Sequence, residues 1–382
     1  MPYKTFGFTE EQVLMRDSIL KLLADVLPEQ RQAELDARSQ YPRETHQAMG
    51  RAGWLGLGMD AEWGGQPASH KDLAVFVEAT SYHHCAATSA YMTTVTYGGT
   101  YIQNVGNAEQ KREFLPGLVQ GKYVMAVAYT EPQSGSDLAG IKTRAVRDGD
   151  HYILTGQKVY ITNAHEADYL IVVAKTTPEG GHRGMSLFIV DTRLPGITIR
   201  PMSPMGRRMT LPNEVFFDAV RVPAPYLLGG ENEGWRKVMR GLNLERMLIA
   251  ATSAGACLKM VDIASAWAKE RVTFGQRITE YQAISHKLAE MRMLAETCRL
   301  HTYSSAALLD AGENAVLETS MAKVVASEAA VRCSDLGVQV MGAAGYMDGP
   351  MSRMYRDVRV GPIGGGSSEI MRNVIAKMMD LN

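Results

Sequence analysis

Val124-Met-Ala-Val-Ala-Tyr-Thr-Glu-Pro-Gln-Ser-Gly-Ser-Asp-Leu-Ala-Gly140 is the stretch on which the reading of this chain turns. Val124–Tyr129 is a short apolar run, and the residues after it form a loop dense in small polar groups. Upstream the spacing is helical. Glu10–Val26 carries apolar residues at Val13, Leu14, Ile19, Leu20, Leu22 and Leu23. Asn107-Ala-Glu-Gln is a capping signal, with Gln110 three residues after Asn107. Downstream the pattern becomes short apolar runs bounded by Gly, Pro or Asp: Tyr169-Leu-Ile-Val-Val-Ala, Met185-Ser-Leu-Phe-Ile-Val and Glu214-Val-Phe-Phe. Arg147-Asp-Gly-Asp is a turn between two further runs. Closely spaced strands with turns predict an antiparallel barrel or sandwich.

Past Gly234 the helical period returns in three long stretches, 234–268, 282–310 and 314–340. Long antiparallel helices with short loops predict a bundle. The chain therefore reads as an α+β protein in three parts: an N-terminal α-helical domain over 1–123, a middle antiparallel β domain over 124–232, and a C-terminal helical bundle over 233–382. A length of 382 residues exceeds one ordinary core and agrees with several domains.

The charge balance excludes some functions. Lys+Arg 40 against Asp+Glu 41 leaves no positive excess for nucleic acid or a membrane surface, and no like-charge run supplies one locally. Cys85, Cys257, Cys298 and Cys333 form no C-x-x-C pair and read as inert thiols in a reducing compartment. No apolar run appears long enough to span a membrane, and Met1-Pro-Tyr-Lys-Thr-Phe-Gly lacks the pattern of a signal peptide. A cytoplasmic location is the expectation.

Three strings carry chemistry. In the loop 129–140, Gly135 lets the backbone approach an anion and Ser136 offers a hydroxyl. In Gly156-Gln-Lys-Val-Tyr-Ile-Thr-Asn163, Tyr160 and Thr162 stand two apart and share a strand face. An aromatic beside a donor suits a flat heterocycle, although an ordinary half-buried strand has the same pattern. Glu270-Arg-Val-Thr-Phe-Gly275 ends a helix with Arg271 placed for phosphate or simply for solvent.

Together these strings resemble the acyl-CoA dehydrogenase family. T-E-P-x-x-G-S-D, K-x-aromatic-I-T-N, R-x-x-F-G and the late Gln339-Val-Met-Gly-Ala-Ala-Gly345 stand in the family's order over some 220 residues. The resemblance implies FAD as cofactor, an acyl-CoA substrate, a homotetramer, and an electron-transfer flavoprotein as partner. It assigns Tyr129, Thr130, Gly135, Ser136, Tyr160 and Thr162 to the flavin and its pyrophosphate. It assigns Arg271, Phe274, Gln282, Gln339 and Gly342 to the FAD of a neighbouring subunit or its surroundings, with Ser367 and Glu369 after the late loop. Ser136, Asn243 and Arg246 are its substrate-binding positions.

The base is where this chain departs from many relatives, which carry a Glu on the late loop. Here that loop reads Ile363-Gly-Gly-Gly-Ser-Ser-Glu-Ile370, and Gly365, at the Glu position, cannot take a proton. A minority of the family carries the base on a helix, at the position of Glu245. The residues support that directly. The helical neighbours of Glu245 are Gly241, Leu242, Leu248 and Ile249, none charged. Burial on such a face raises a carboxyl pKa, as a base for a weakly acidic α-proton requires. A structural ion pair with an arginine is the competing reading. Gly365 keeps its N–H, which resemblance aims at the thioester carbonyl, and its missing side chain leaves room for Glu245. Glu369 opens a helix, where its charge suits the dipole.

Other patterns are set aside. Gly56-Leu-Gly-Met-Asp-Ala61 lacks the strand context of a dinucleotide fingerprint, and Ala251-Thr-Ser-Ala-Gly255 lies inside a helix. His83-His84-Cys85 has no second ligand group at suitable spacing and reads as core, so no metal is expected. The functional alternatives are a relative with FAD and another reaction, such as an enoyl-CoA reductase or a desulfinase-like enzyme, and a non-catalytic acyl-CoA-binding homologue.

Overall fold

The structure is a computed structural model and describes residues 7–381; the N-terminal segment weighed above as a signal peptide lies largely outside them. Seven α-helices open the chain: α1 (Glu10–Val26), α2 (Glu29–Arg38), α3 (Arg43–Arg51), α4 (His70–His83), α5 (Cys85–Tyr91), α6 (Thr100–Val105) and α7 (Ala108–Val119). Capping boxes at Thr9, Ser69 and Asn107 start α1, α4 and α7. Between α5 and α6 the chain runs as a π-helix over Met92–Gly99, a geometry that recurs at functional sites.

The middle region is one eight-stranded sheet: β1 (Met125–Ala128), β2 (Arg144–Asp148), β3 (His151–Lys158), β4 (Tyr169–Lys175), β5 (Met185–Asp191), β6 (Ile197–Pro201), β7 (Asn213–Pro223) and β8 (Leu227–Leu228). The order is β6-β7-β3-β2-β4-β5-β8, with β1 added on β4. Most ladders are antiparallel, as expected, but β1 and β2 meet β4 in parallel. The sheet is therefore mixed: β1 arrives from the helical region and joins β4 without a hairpin. Strands β4 and β5 are buried on both faces. Ile171, Val173, Leu187 and Ile189 enter the helical core, while Leu170, Val172, Phe188 and Val190 enter a separate core on the other face. Two buried faces explain why these strands read as continuous apolar runs.

The last region holds α8 (Gly234–Glu270), a hairpin β9 (Val272–Thr273) and β10 (Gln276–Arg277), α9 (Gln282–Asp310), α10 (Val316–Met341), α11 (Ala343–Tyr346), α12 (Pro350–Val358) and α13 (Ser368–Met378). Helix α8 corrects one expectation. By length and a mean hydropathy of 1.5 it could cross a membrane, but 72% of that window is buried inside the protein. It is a core helix, apolar on several sides because α4, α9 and α10 all pack on it. Gly255 permits one of these contacts, since a Cβ there would lie 2.1 Å from the Glu78 carbonyl of α4. A buried pair, Arg299 Nε to Glu78 Oε2 at 3.1 Å, ties α9 to α4.

The four cysteines are free and buried. Though far apart in sequence, Cys257 and Cys298 bring their sulfurs within 3.9 Å. His84 and Cys85 also gain a neighbour that spacing hid. Asp357 of α12 brings a carboxylate to them, and the three ligand atoms lie within 4.8 Å. Each is already engaged. His84 Nδ1 accepts from Ala86 N, and the Cys85 thiol donates to Asp357 Oδ2 at 2.8 Å. Burial raises the thiol pKa, so it stays protonated and serves as a clasp between α5 and α12.

Candidate active site

The loop after β1 and the segment after β3 are locked together by a buried pair. Lys158 Nζ donates to Glu131 Oε1 at 2.8 Å and to the Tyr129 carbonyl at 2.9 Å. Glu131 also accepts from the backbone N–H groups of Lys142 and Thr143. Burial alone would raise its pKa. Lys158 and the N–H donors outweigh burial and hold the carboxyl at about 2. Val159 N donates to the Thr130 carbonyl at 2.9 Å, which sets Thr130 beside the Tyr160–Thr162 segment. Strand β3 stops at Lys158, so Tyr160 and Thr162 lie in the turn beyond it rather than on the expected strand face; Tyr160 takes φ +60 and is 63% exposed. A non-glycine in that region is held by its surroundings, here turning an aromatic face outward. Tyr129 Oη is buried and faces the Tyr101 hydroxyl.

These two strings meet the π-helix. Asn163 Nδ2 reaches Thr93 Oγ1 at 3.5 Å, and Met125 N donates to Thr94 Oγ1. The far side of the π-helix and α6 face α8 across a cavity of about 200 Å³. Thr96, Tyr97, Thr100, Tyr101, Asn104 and Val105 line one wall; Lys237, Gly241, Leu244 and Glu245 line the other. Positions 237, 241 and 245 fall on one face of α8 because they are four apart.

Glu245 stands at the inner end. It is half-buried and lines the cavity, with protein packed closely around it. Burial raises its pKa to about 7, and the Tyr97 hydroxyl, Arg246 and Lys323 moderate the rise. The late loop reaches the same spot from more than a hundred residues away. A Cβ added at Gly365 would lie 2.2 Å from Ile249 Cδ1 and 3.4 Å from Glu245 Oε1. A side chain at 365 would collide with the helix that carries Glu245. Gly365 has φ +63, and its N–H makes no hydrogen bond among the described residues. Lys323 of α10 is buried and donates from Nζ to the Gly366 carbonyl.

The remaining sequence-derived positions lie elsewhere. Gly135 and Ser136 are exposed on the loop after β1. Arg271 and Phe274 sit on the exposed β9–β10 hairpin; Phe274 is 93% exposed. Gln282 at the start of α9 is exposed, as are Gln339 and Gly342 at the end of α10. Ser367 caps α13, accepting from Ile370 N at 3.3 Å, and Glu369 is exposed in its first turn. None of the three substrate positions lines the cavity. Asn243 bonds Asn314 and Thr319, and Arg246 NH1 donates to Ser320 Oγ at 3.3 Å. One or two residues from Glu245 on a helix, both point off its face toward α10.

Tyr97, Ile249 and Lys323 are site residues that the sequence reading did not single out. Lys323 had a usable signal, the one that revealed Glu245: its helical neighbours Thr319, Ser320, Ala326 and Ser327 are all uncharged. Tyr97 had none, since a tyrosine in an apolar helical segment is ordinary. The arrangement fits a flavin. It offers an outward aromatic, adjacent threonine hydroxyls, and a carboxyl on the facing helix.

Sequence comparison agrees with that geometry. Profiles described as the N-terminal, middle and C-terminal domains of acyl-CoA dehydrogenase match residues 9–122, 126–220 and 232–379. A cyclohex-1-ene-1-carbonyl-CoA dehydrogenase of Geobacter metallireducens is 36% identical over 97% of this chain and 98% of its own length. A 3-(aryl)acrylate reductase of Clostridium sporogenes is 34% identical, with coverage of 97% and 98%. The crystal structure of an acyl-CoA dehydrogenase from Geobacillus kaustophilus superposes with a TM-score of 0.93 at 34% identity, covering 99% of this chain and 100% of that one. The strings, the site and the matched domains together place this chain in the acyl-CoA dehydrogenase family of FAD-dependent oxidoreductases acting on CH–CH bonds.

Proposed function

We propose that this enzyme oxidises an acyl-CoA thioester between its α and β carbons, giving the trans-2-enoyl thioester, with Glu245 as the base. The observation that carries the proposal is the meeting of Glu245 with Gly365. A carboxyl with a pKa of about 7 stands beside a glycine whose backbone N–H has no hydrogen-bond partner among the described residues. The Gly365 N–H donates to the thioester carbonyl and stabilises the charge that develops there. The ionised Glu245 carboxylate takes the α-proton. FAD, when bound, supplies the acceptor for the β-hydride. A base with a pKa near the working pH is populated as carboxylate and still strong enough for the proton transfer.

The open end of the cavity suits the CoA arm. Lys237 lies in the first turn of α8, whose N-terminal N–H groups and dipole favour an anion, and Asn104 is exposed opposite it. Thr130, Tyr160 and Thr162 hold the flavin ring, and Gly135 and Ser136 its pyrophosphate. Exposed Arg271, Phe274, Gln339 and Gly342 have no own-chain site to serve, which supports contact with a neighbouring subunit's FAD in a homotetramer. An electron-transfer flavoprotein is the proposed acceptor of the electrons.

A second reading has a specific support. With a pKa near 7, Glu245 is partly protonated at neutral pH and can return a proton to the α-carbon, so the same site serves enoyl reduction. The test is Glu245→Gln. The variant should remain yellow and bind acyl-CoA but lose flavin bleaching by substrate. Unimpaired bleaching removes Glu245 from the mechanism.

A further inference from the structure

Two buried cations, Arg246 and Lys323, stand beside Glu245. Arg246 is buried, bonds Ser320 Oγ, and has no carboxylate within ion-pair distance among the described residues. Lys323 lies one helical turn beyond Ser320 on α10, is fully buried, and spends its ammonium on the Gly366 carbonyl. It too lacks an ion-pair partner among the described residues. Burying an ammonium without a carboxylate costs several kcal/mol. A lysine kept only to fasten a loop could be replaced by an uncharged donor.

Glu245 and Arg246 face Lys323 from α8, Glu328 shares its helix, and Glu369 faces it from α13. Glu328 is already paired with Arg372 at 2.8 Å, and Glu369 is exposed. Around Glu245 stand Tyr97, Tyr101 and Tyr129, all neutral because burial raises their pKa values, while Lys237 lies two turns up the same face of α8 and pairs with Glu233. With Glu245 ionised, two buried cations face one buried carboxylate. When Glu245 takes the α-proton its own charge disappears. The negative charge moves to the thioester oxygen, and the two cations remain.

We propose that Lys323 is a positioning residue for the dehydrogenation: its hydrogen bond to Gly366 aims the neighbouring Gly365 N–H, and its charge, with that of Arg246, favours the enolate. The inference rests on the acyl-thioester reading above. In the step concerned, the α C–H bond breaks, its electron pair passes into the carbonyl to form the enolate, and the proton goes to a Glu245 oxygen. Burial lowers the Lys323 pKa to about 8, so below that pH both cations are charged and act on the shift without reorganising.

The probe is an acyl-CoA with sulfur at the β position. It ionises at the α carbon but has no β-hydride to lose. Its ionised form, stacked on the flavin of the holoenzyme, is read by long-wavelength charge-transfer absorbance titrated against pH. Lys323→Gln keeps a donor for the Gly366 carbonyl and removes the charge; Lys323→Met removes both. Both variants should raise the apparent pKa of the bound probe by about one unit or more, a tenfold loss of ionised form at fixed pH. The Met variant should in addition weaken probe binding. An unmoved pKa in Lys323→Gln overturns the electrostatic role and leaves a merely structural lysine. Absence of the band in the wild-type enzyme overturns the thioester-ionisation reading, and this inference with it. If Lys323→Met fails to fold, the Gln variant alone decides.

Discussion

Glu245→Gln should stabilise this protein, and the gain should depend on pH. The carboxyl pKa rises from its ordinary 4.5 to about 7 in the folded chain, chiefly through burial. Below pH 4.5 the group is protonated folded or unfolded, and folding incurs no penalty. Between pH 4.5 and 7 the native chain retains a proton that the unfolded chain has released, so stability falls as pH rises. Above pH 7 the full cost of a buried carboxylate is present, about 3 kcal/mol at 1.36 kcal/mol per pKa unit. Glutamine has nearly the same shape and never ionises. At roughly 2.1 cal/mol/K per residue, unfolding 382 residues releases about 0.8 kcal/mol/K, so 3 kcal/mol corresponds to a melting shift of about 4 °C. The assay is thermal unfolding of FAD-saturated wild type and variant at matched concentration from pH 4.5 to 8.5. The two curves should approach each other at the acid end and separate through pH 7, the variant melting higher. A variant that melts lower at pH 8.5 would refute the reasoning, because it would mean that Glu245 is a satisfied partner in an ion pair. A difference independent of pH would equally refute it.

Gly365→Ala should cost about 3 kcal/mol, from left-handed backbone strain at φ +63 and displacement of Ile249, and Ile249→Ala should recover part of it in a denaturation double-mutant cycle. Tyr97→Phe removes a hydroxyl that lowers the Glu245 pKa, so the pH profile of flavin reduction should move alkaline by up to about one unit; a shift to acid would contradict the contact. Arg299→Met should destabilise by about 3–5 kcal/mol, because the buried Glu78 carboxylate loses the guanidinium, and Glu78→Gln in the same chain should restore much of the loss.

How much was legible in advance differs between features. The order of helical, β and helical regions follows from local periodicity, because a change of period from 3.6 to 2 shows wherever the chain changes element. The strings around Thr130, Tyr160 and Arg271 are local too, since the backbone geometry of a loop is fixed by the residues within it. Glu245 was legible because an isolated charge on an apolar helical face is costly unless used. By itself the sequence determined the three-part fold, the family strings and the placing of Glu245 on an apolar helical face. Only the tertiary structure decided what meets Glu245. Gly365 approaches from more than a hundred residues downstream, with Ile249 filling the space where a loop side chain would begin. Tyr97 comes from a π-helix more than a hundred residues upstream, and Lys323 from a third element. It also turned Asn243 and Arg246 toward α10, and brought Asp357 to Cys85. Periodicity reports which face of a helix is buried. What lies against that face is set by long-range packing, which leaves no local mark in the sequence.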